Sequence, residues 1–221
     1  EENLGCKRRW HFDASRQTEG AHDFDHLPGQ VKFPPTATSR RDVLLGMVIE
    51  KASGKSYAKF LEDEFYRPLG LKQTSYCPSR TSDTSFASGY QARDKQLVPS
   101  TFLSLTHPFS AGALCSTVRD HLVWQRALHG GDLMSKGSYA LMTTPDTLPN
   151  GRRHNYGFGL NLGTIGPHRT IRHSGGINGF ATMELYVPAE SLSVIAFTNT
   201  EPLSIASATQ WAPADEDGDE I

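Results

Sequence analysis

The sequence predicts an α+β chain, a helical region followed by an antiparallel sheet with helices flanking it. Two observations carry this. Up to about residue 150, apolar residues recur at helical spacing, as in Val43, Leu44, Met47, Val48 and Ile49 and then Tyr57, Phe60, Leu61 and Phe65. Beyond that point the period becomes two. The segments NYGFGLNLG, HRTIRHSG, GFATMELYVP and LSVIAFTN are joined by links short enough to force antiparallel neighbours.

The elements follow in order. Residues 1–30 are polar and aperiodic, which predicts an extended or poorly ordered segment. The folded domain is expected over 31–205, helical to about 150 and stranded over about 151–200, with 206–221 as an acidic tail. Ser39 suits the cap of the first helix and Gly54 its left-handed end. The next helix, SYAKFLEDEFYRPLG, is expected to end at Pro68. Residues 72–110 read as a long irregular connection with one short strand near ASGYQA, and such loops often line a site. In STVRDHLVWQRALHGG, Thr117 and Asp120 have capping-box spacing and Gly130 closes the helix. SKGSYALMTTP gives a short helix before Pro145. In the third strand Ala181, Met183, Leu185 and Val187 alternate with Thr182, Glu184 and Tyr186, and PAES leads to the last strand at hairpin length.

Composition narrows the function. The 221 residues are 37% hydrophobic and 21% charged, with a net charge of -2, an ordinary globular balance. The tail DEDGDEI holds Asp215, Glu216, Asp217, Asp219 and Glu220, and reads as a solvated end. Without it the chain is close to neutral, so nucleic acid is not an expected partner. No apolar run is long enough for a membrane span. The first residue is Glu1 rather than Met, which reads as a processed product or a piece, and no location follows. Cys6, Cys77 and Cys115 suggest neither a disulfide framework nor a zinc pattern, and Cys115 reads as a small buried residue. HDFDH puts His22 and His26 near carboxylates, but the flanking glycine and proline favour a surface loop over a metal site.

The chemistry concentrates in HSGGINGF. Its neighbours in order are LLGMVIEKASGKSYAKFLEDEFYRPLGLKQTSY, SAGALCSTVRDHLVWQRALHGG, YGFGL and YVPAESLSVIAFTN. Together, from about Phe33 to Glu201, these phrases resemble the serine β-lactamase and penicillin-binding-protein-like superfamily. The nearest branch is that of class C β-lactamases, D-alanyl-D-alanine peptidases and esterases. The resemblance implies a β-lactamase/transpeptidase-like fold and acyl-serine hydrolysis of amide or ester bonds in small molecules or peptides, with no cofactor and no metal. It also maps the family's Lys/His-Thr/Ser-Gly motif, on a sheet edge, to His173, Ser174 and Gly175. His173 and Ser174 would bind a substrate carboxylate or carry protons, and the backbone N–H of Gly176 would serve as an oxyanion donor. A glycine suits that place because the backbone must approach the acyl carbon closely. Tyr156 would line the site or pack in the core.

The same comparison exposes what is missing. Such a reaction needs a serine with a lysine three residues on, so that the amine takes or relays the hydroxyl proton. Residues ahead of the matched block contain no such pair, and Ser15 lacks its lysine. Ser56 and Lys59 in SYAK have the spacing, but they fall where relatives carry generic polar residues. The family's Tyr-x-Asn falls at Ala37 and Ser39, which can neither relay a proton nor reach as an Asn amide does.

Two readings follow. One is a serine hydrolase; the other is an inactive relative or fragment whose cleft binds a ligand or whose uncovered sheet edge binds a partner. The domain is expected to be incomplete at its N-terminus and at its C-terminus, where PLSIASATQW reads as a helical remnant, and self-association through the bare edge is expected. His121 and His129 read as surface or partly buried residues.

Overall fold

The computed structural model describes residues 37–77, 86–93, 96–101, 103–104, 108–148 and 150–200. Segment 1–30, with Cys6, Ser15, His22 and His26, lies outside the described residues, as do His107, PLSIASATQW and the acidic tail.

The helical part opens with α1 (Ala37–Ser53), and Gly54, at φ +69°, ends it as expected. Ser39 is not its cap, because the helix begins two residues earlier. Gly46 is where α1 meets the 3-10 turn Phe109–Ala111. A Cβ there would collide with Ser110 Oγ, which itself donates to the Asp42 carbonyl at 2.6 Å. The second helix is not continuous. α2 (Tyr57–Leu61) passes into a wider π turn (Glu62–Tyr66) and then α3 (Arg67–Leu69), so Pro68 sits inside the last turn and Gly70, at φ +69°, ends it. Tyr57, at the start of α2, and Tyr66, at the end of the π turn, are both buried.

Residues 72–110 hold more structure than the sequence suggests. β1 (Ser75–Tyr76) pairs with β4 (Leu114–Cys115), and β2 (Tyr90–Arg93) forms a hairpin with β3 (Gln96–Pro99). The β1–β4 ladder brings Cys77 and Cys115 to a Cα–Cα distance of 5.9 Å and they form a disulfide. This corrects the reading of Cys115 as a free buried residue. A separation of 38 residues carries no pairing signal of its own.

In α4 (Val118–Gly130), Thr117 Oγ1 caps the Asp120 N–H at 3.3 Å, and Gly131, not Gly130, takes the left-handed end. Asp120 does not close a capping box. Its carboxylate accepts from the Gln73 N–H at 2.7 Å and the Thr74 hydroxyl at 2.9 Å, pinning the turn after α3 to α4. α5 (Lys136–Met142) is capped by Ser135. A small ladder, β5 (Asp146–Thr147) with β6 (Arg153–His154), precedes the main sheet.

That sheet contains β7 (Tyr156–Gly157), β8 (Leu160–Ile165), β9 (His168–Ile177), β10 (Phe180–Val187) and β11 (Leu192–Thr198), in spatial order 11-10-9-8-7 and antiparallel throughout. The predicted first strand is split in two by the turn at Phe158 and Gly159, both at positive φ. Leu160, Leu162 and Ile171 form the buried cluster on the helix side, with Met142 and Tyr186 packed against it. On the other flank β11 is an edge, and just past its end Tyr90 bridges Thr200 and donates its N–H to the Asn199 carbonyl at 2.9 Å.

Candidate active site

His173, Ser174, Gly175 and Gly176 follow one another in β9. That strand is central in the sheet, not at its border as expected. Among the described residues its second half is nonetheless open on one side. β8 pairs with β9 only as far as Asn161↔Arg172, because at Leu160 the chain turns back into β7. From His173 to Ile177 the pairing is with β10 alone among the described residues. The motif therefore lies on a local edge created by the short β7–β8 hairpin.

Of the glycines in this stretch, packing demands Gly179, Gly175 sits close to a side chain that can turn away, and Gly176 is unconstrained by the described residues. At Gly175 a Cβ would stand 2.9 Å from Thr182 Oγ1. At Gly179, φ +85°, a Cβ would stand 2.7 Å from Gly89 Cα, because the β9–β10 turn presses on the start of the β2–β3 hairpin. Asn178 reinforces that contact by donating to the Thr101 carbonyl at 3.2 Å, and Asn199 donates to the Ser88 carbonyl at 2.9 Å. The hairpin therefore walls one end of the open edge. At Gly176, by contrast, a Cβ would meet nothing within 4 Å, and the backbone is not left-handed.

His173 is half-buried, and its Nε2 lies 3.3 Å from the Tyr156 hydroxyl. Burial, with the charge of Asp42 adding to it, pushes the Tyr156 phenol above its ordinary range, so it is a protonated hydrogen-bonding group at neutral pH. Across the ladder from His173 stands Glu184. Its carboxylate bonds to His121 Nε2 and accepts from Gln125 Nε2 at 2.6 Å. Burial pushes the Glu184 carboxyl up. Its bond to His121, the charge there, the Gln125 bond and the charge of His173 outweigh that, and it settles below the usual value. His129 stacks on Tyr186 with centroids 3.9 Å apart, and burial lowers it from 6.5 to about 4.

The other sequence candidates do not join this edge. Ser56 Oγ caps α2 by accepting from the Lys59 N–H at 3.3 Å. The Lys59 ammonium pairs with Asp63 Oδ1 at 2.8 Å and with Glu62 on the same helical face. Ala37 and Ser39 fall in the first turn of α1. Among the described residues there is no group of three or more metal-ligating side chains. Glu184 escaped the sequence reading because it occupies an ordinary polar slot in an alternating strand.

The family model described as Beta-lactamase matches residues 41–215. The chain belongs to the beta-lactamase family. A penicillin-binding protein of Bacillus subtilis (strain 168) is 30% identical over 172 residues, covering 72% of this chain and 38% of that protein. A D-aminopeptidase of Brucella anthropi is 26% identical over 162 residues, covering 72% and 30%. Among solved structures, a D-stereospecific amidohydrolase from Streptomyces sp. superposes with a TM-score of 0.64 at 28% identity, covering 74% of this chain and 49% of that one. The beta-lactamase-type chain thus spans about a third of the length of these curated relatives and half of the solved one. Its mixture of helices and antiparallel sheet is that of the family.

Proposed function

We propose that the His173–Gly176 edge is the substrate-holding and oxyanion-stabilising border of a β-lactamase-type amide hydrolase site, and that these 221 residues bind an amide substrate without cleaving it. Gly176 carries the reading. It has no side chain, and among the described residues nothing lies within 4 Å of the place a Cβ would take, so the strand's backbone is open there to the close approach of a ligand. In the reaction of the family type, a serine oxygen attacks the acyl carbon, the developing oxyanion is held by backbone N–H groups, and the C–N bond breaks as the amine leaves with a proton. Water then hydrolyses the acyl ester. His173, set by Tyr156, would hold the substrate's carboxylate or carbonyl or carry its proton, with Ser174 beside it. The relatives named D-aminopeptidase and D-stereospecific amidohydrolase support an amide of a D-amino acid as the substrate class.

The reading leaves Ser56 out as the attacking hydroxyl; its oxygen caps a helix and its would-be base is paired to carboxylates, which supports that. The test is incubation of the chain with a fluorescent penicillin and a fluorophosphonate. No covalent label is expected. Label that disappears in Ser56→Ala would overturn the binding-only reading and restore an active hydrolase.

A further inference from the structure

We propose that Glu184 is a positioning residue for His173, fixing an anionic charge beside the candidate site from the adjoining strand. The proposal rests on the reading of the His173–Gly176 edge as the substrate border. His173 and Glu184 are directly paired across β9 and β10, and residues so paired project from the same sheet face. On that face Glu184 is anchored to α4 by Gln125 and His121, while His173 is anchored to β7 by Tyr156. The groups that face the pair are therefore His121 and Gln125 from α4 and Tyr156 from β7.

The anchoring chain has one direction. Gln125 Oε1 faces His129 Nε2 at 2.9 Å, and His129 Nδ1 faces the Tyr139 hydroxyl at 2.7 Å. With His129 neutral, one proton arrangement satisfies every bond. Tyr139 donates to Nδ1, His129 Nε2–H to Gln125, Gln125 Nε2–H to Glu184, and His121 Nε2–H to Glu184 as well. All donors run toward the carboxylate. Gln125 is only 2% exposed, so the arrangement cannot be exchanged for water bonds without cost.

Stability alone does not ask for this. The same face packs Leu160, Leu162, Ile171 and Tyr186, where an apolar side chain at position 184 and an apolar partner at 125 would pack without desolvating a charge. What the carboxylate adds is a fixed negative charge directly across the ladder from His173.

The test follows the histidine ring resonances with pH by heteronuclear NMR in the parent chain, Glu184→Gln and His121→Asn, and needs no turnover. In Glu184→Gln, which keeps the side chain's size, His173 is expected to titrate at lower pH than in the parent. In His121→Asn, which keeps a donor and removes the competing ring charge, it is expected to titrate at higher pH. An unchanged His173 titration in folded Glu184→Gln overturns the proposal. If that variant does not fold, an unchanged titration in His121→Asn does so. A shifted titration together with His173→Ala that binds a D-amino acid amide as the parent does would sink the site reading alone.

Discussion

The Tyr156 hydroxyl stands 3.3 Å from His173 Nε2, joining β7 to the very segment of β9 that β8 leaves uncovered. The same hairpin therefore opens the edge and orients its first polar side chain. On the far side, Gly179 and Gly89 close the edge by backbone contact. The site is framed by two turns with the glycine pair between them.

Gly176 and Gly179 are expected to separate function from folding. Gly176→Ala leaves stability within about 0.5 kcal/mol of the parent, since a Cβ there meets nothing, yet abolishes ligand binding at the edge. Gly179→Ala costs about 2 kcal/mol or more, because it combines a left-handed backbone with a 2.7 Å clash. Urea melts and a binding titration on both variants check this.

Ser56→Ala is expected to behave as a lost helix cap. Stability falls by about 1 kcal/mol and ligand binding is unchanged. A urea melt and the same binding titration read the two effects.

His129 predicts acid sensitivity. Its folded value is about 4 against 6.5 for the free group, so between those values the unfolded chain takes up a proton that the folded chain excludes. Stability is therefore fully present above pH 6.5 and is lost as the pH falls toward 4, by roughly 1–2 kcal/mol once partial exposure is allowed for. Glu184, lowered in the fold, contributes above the ordinary carboxylate value of 4.5 and loses its share at still lower pH. Urea melts of the parent and His129→Gln at pH 7 and pH 4.5 should show the parent losing more on acidification.

The outer side of β11 is expected to mediate self-association. Leu192 and Val194 are 50% and 42% exposed on an edge strand. Val194→Lys should shift sedimentation velocity toward the monomer; identical profiles for variant and parent would remove this expectation.

Local patterns made the sheet legible. The alternation through Ala181–Val187, the PAES link and the Thr117 cap are encoded within a few residues. What was hidden depends on distant partners. Cys77 meets Cys115 only through the β1–β4 ladder, and Asp120 abandons its own cap for Gln73 and Thr74. The π turn that ends at the buried Tyr66 has no periodic signature. At the site, the run His173–Gly176 could be picked out by resemblance, whereas its openness comes from where β8 happens to end. Glu184 gains its meaning from α4, more than fifty residues earlier in the chain.

Chemical-shift mapping of the isotopically labelled chain with a D-amino acid amide tests the central claim most directly. Perturbations are predicted at the Gly175 and Gly176 amides and the His173 ring, with Ser56 and Lys59 unmoved. A ligand that shifts Ser56 and Lys59, or that leaves the Gly176 amide where it was, would contradict it.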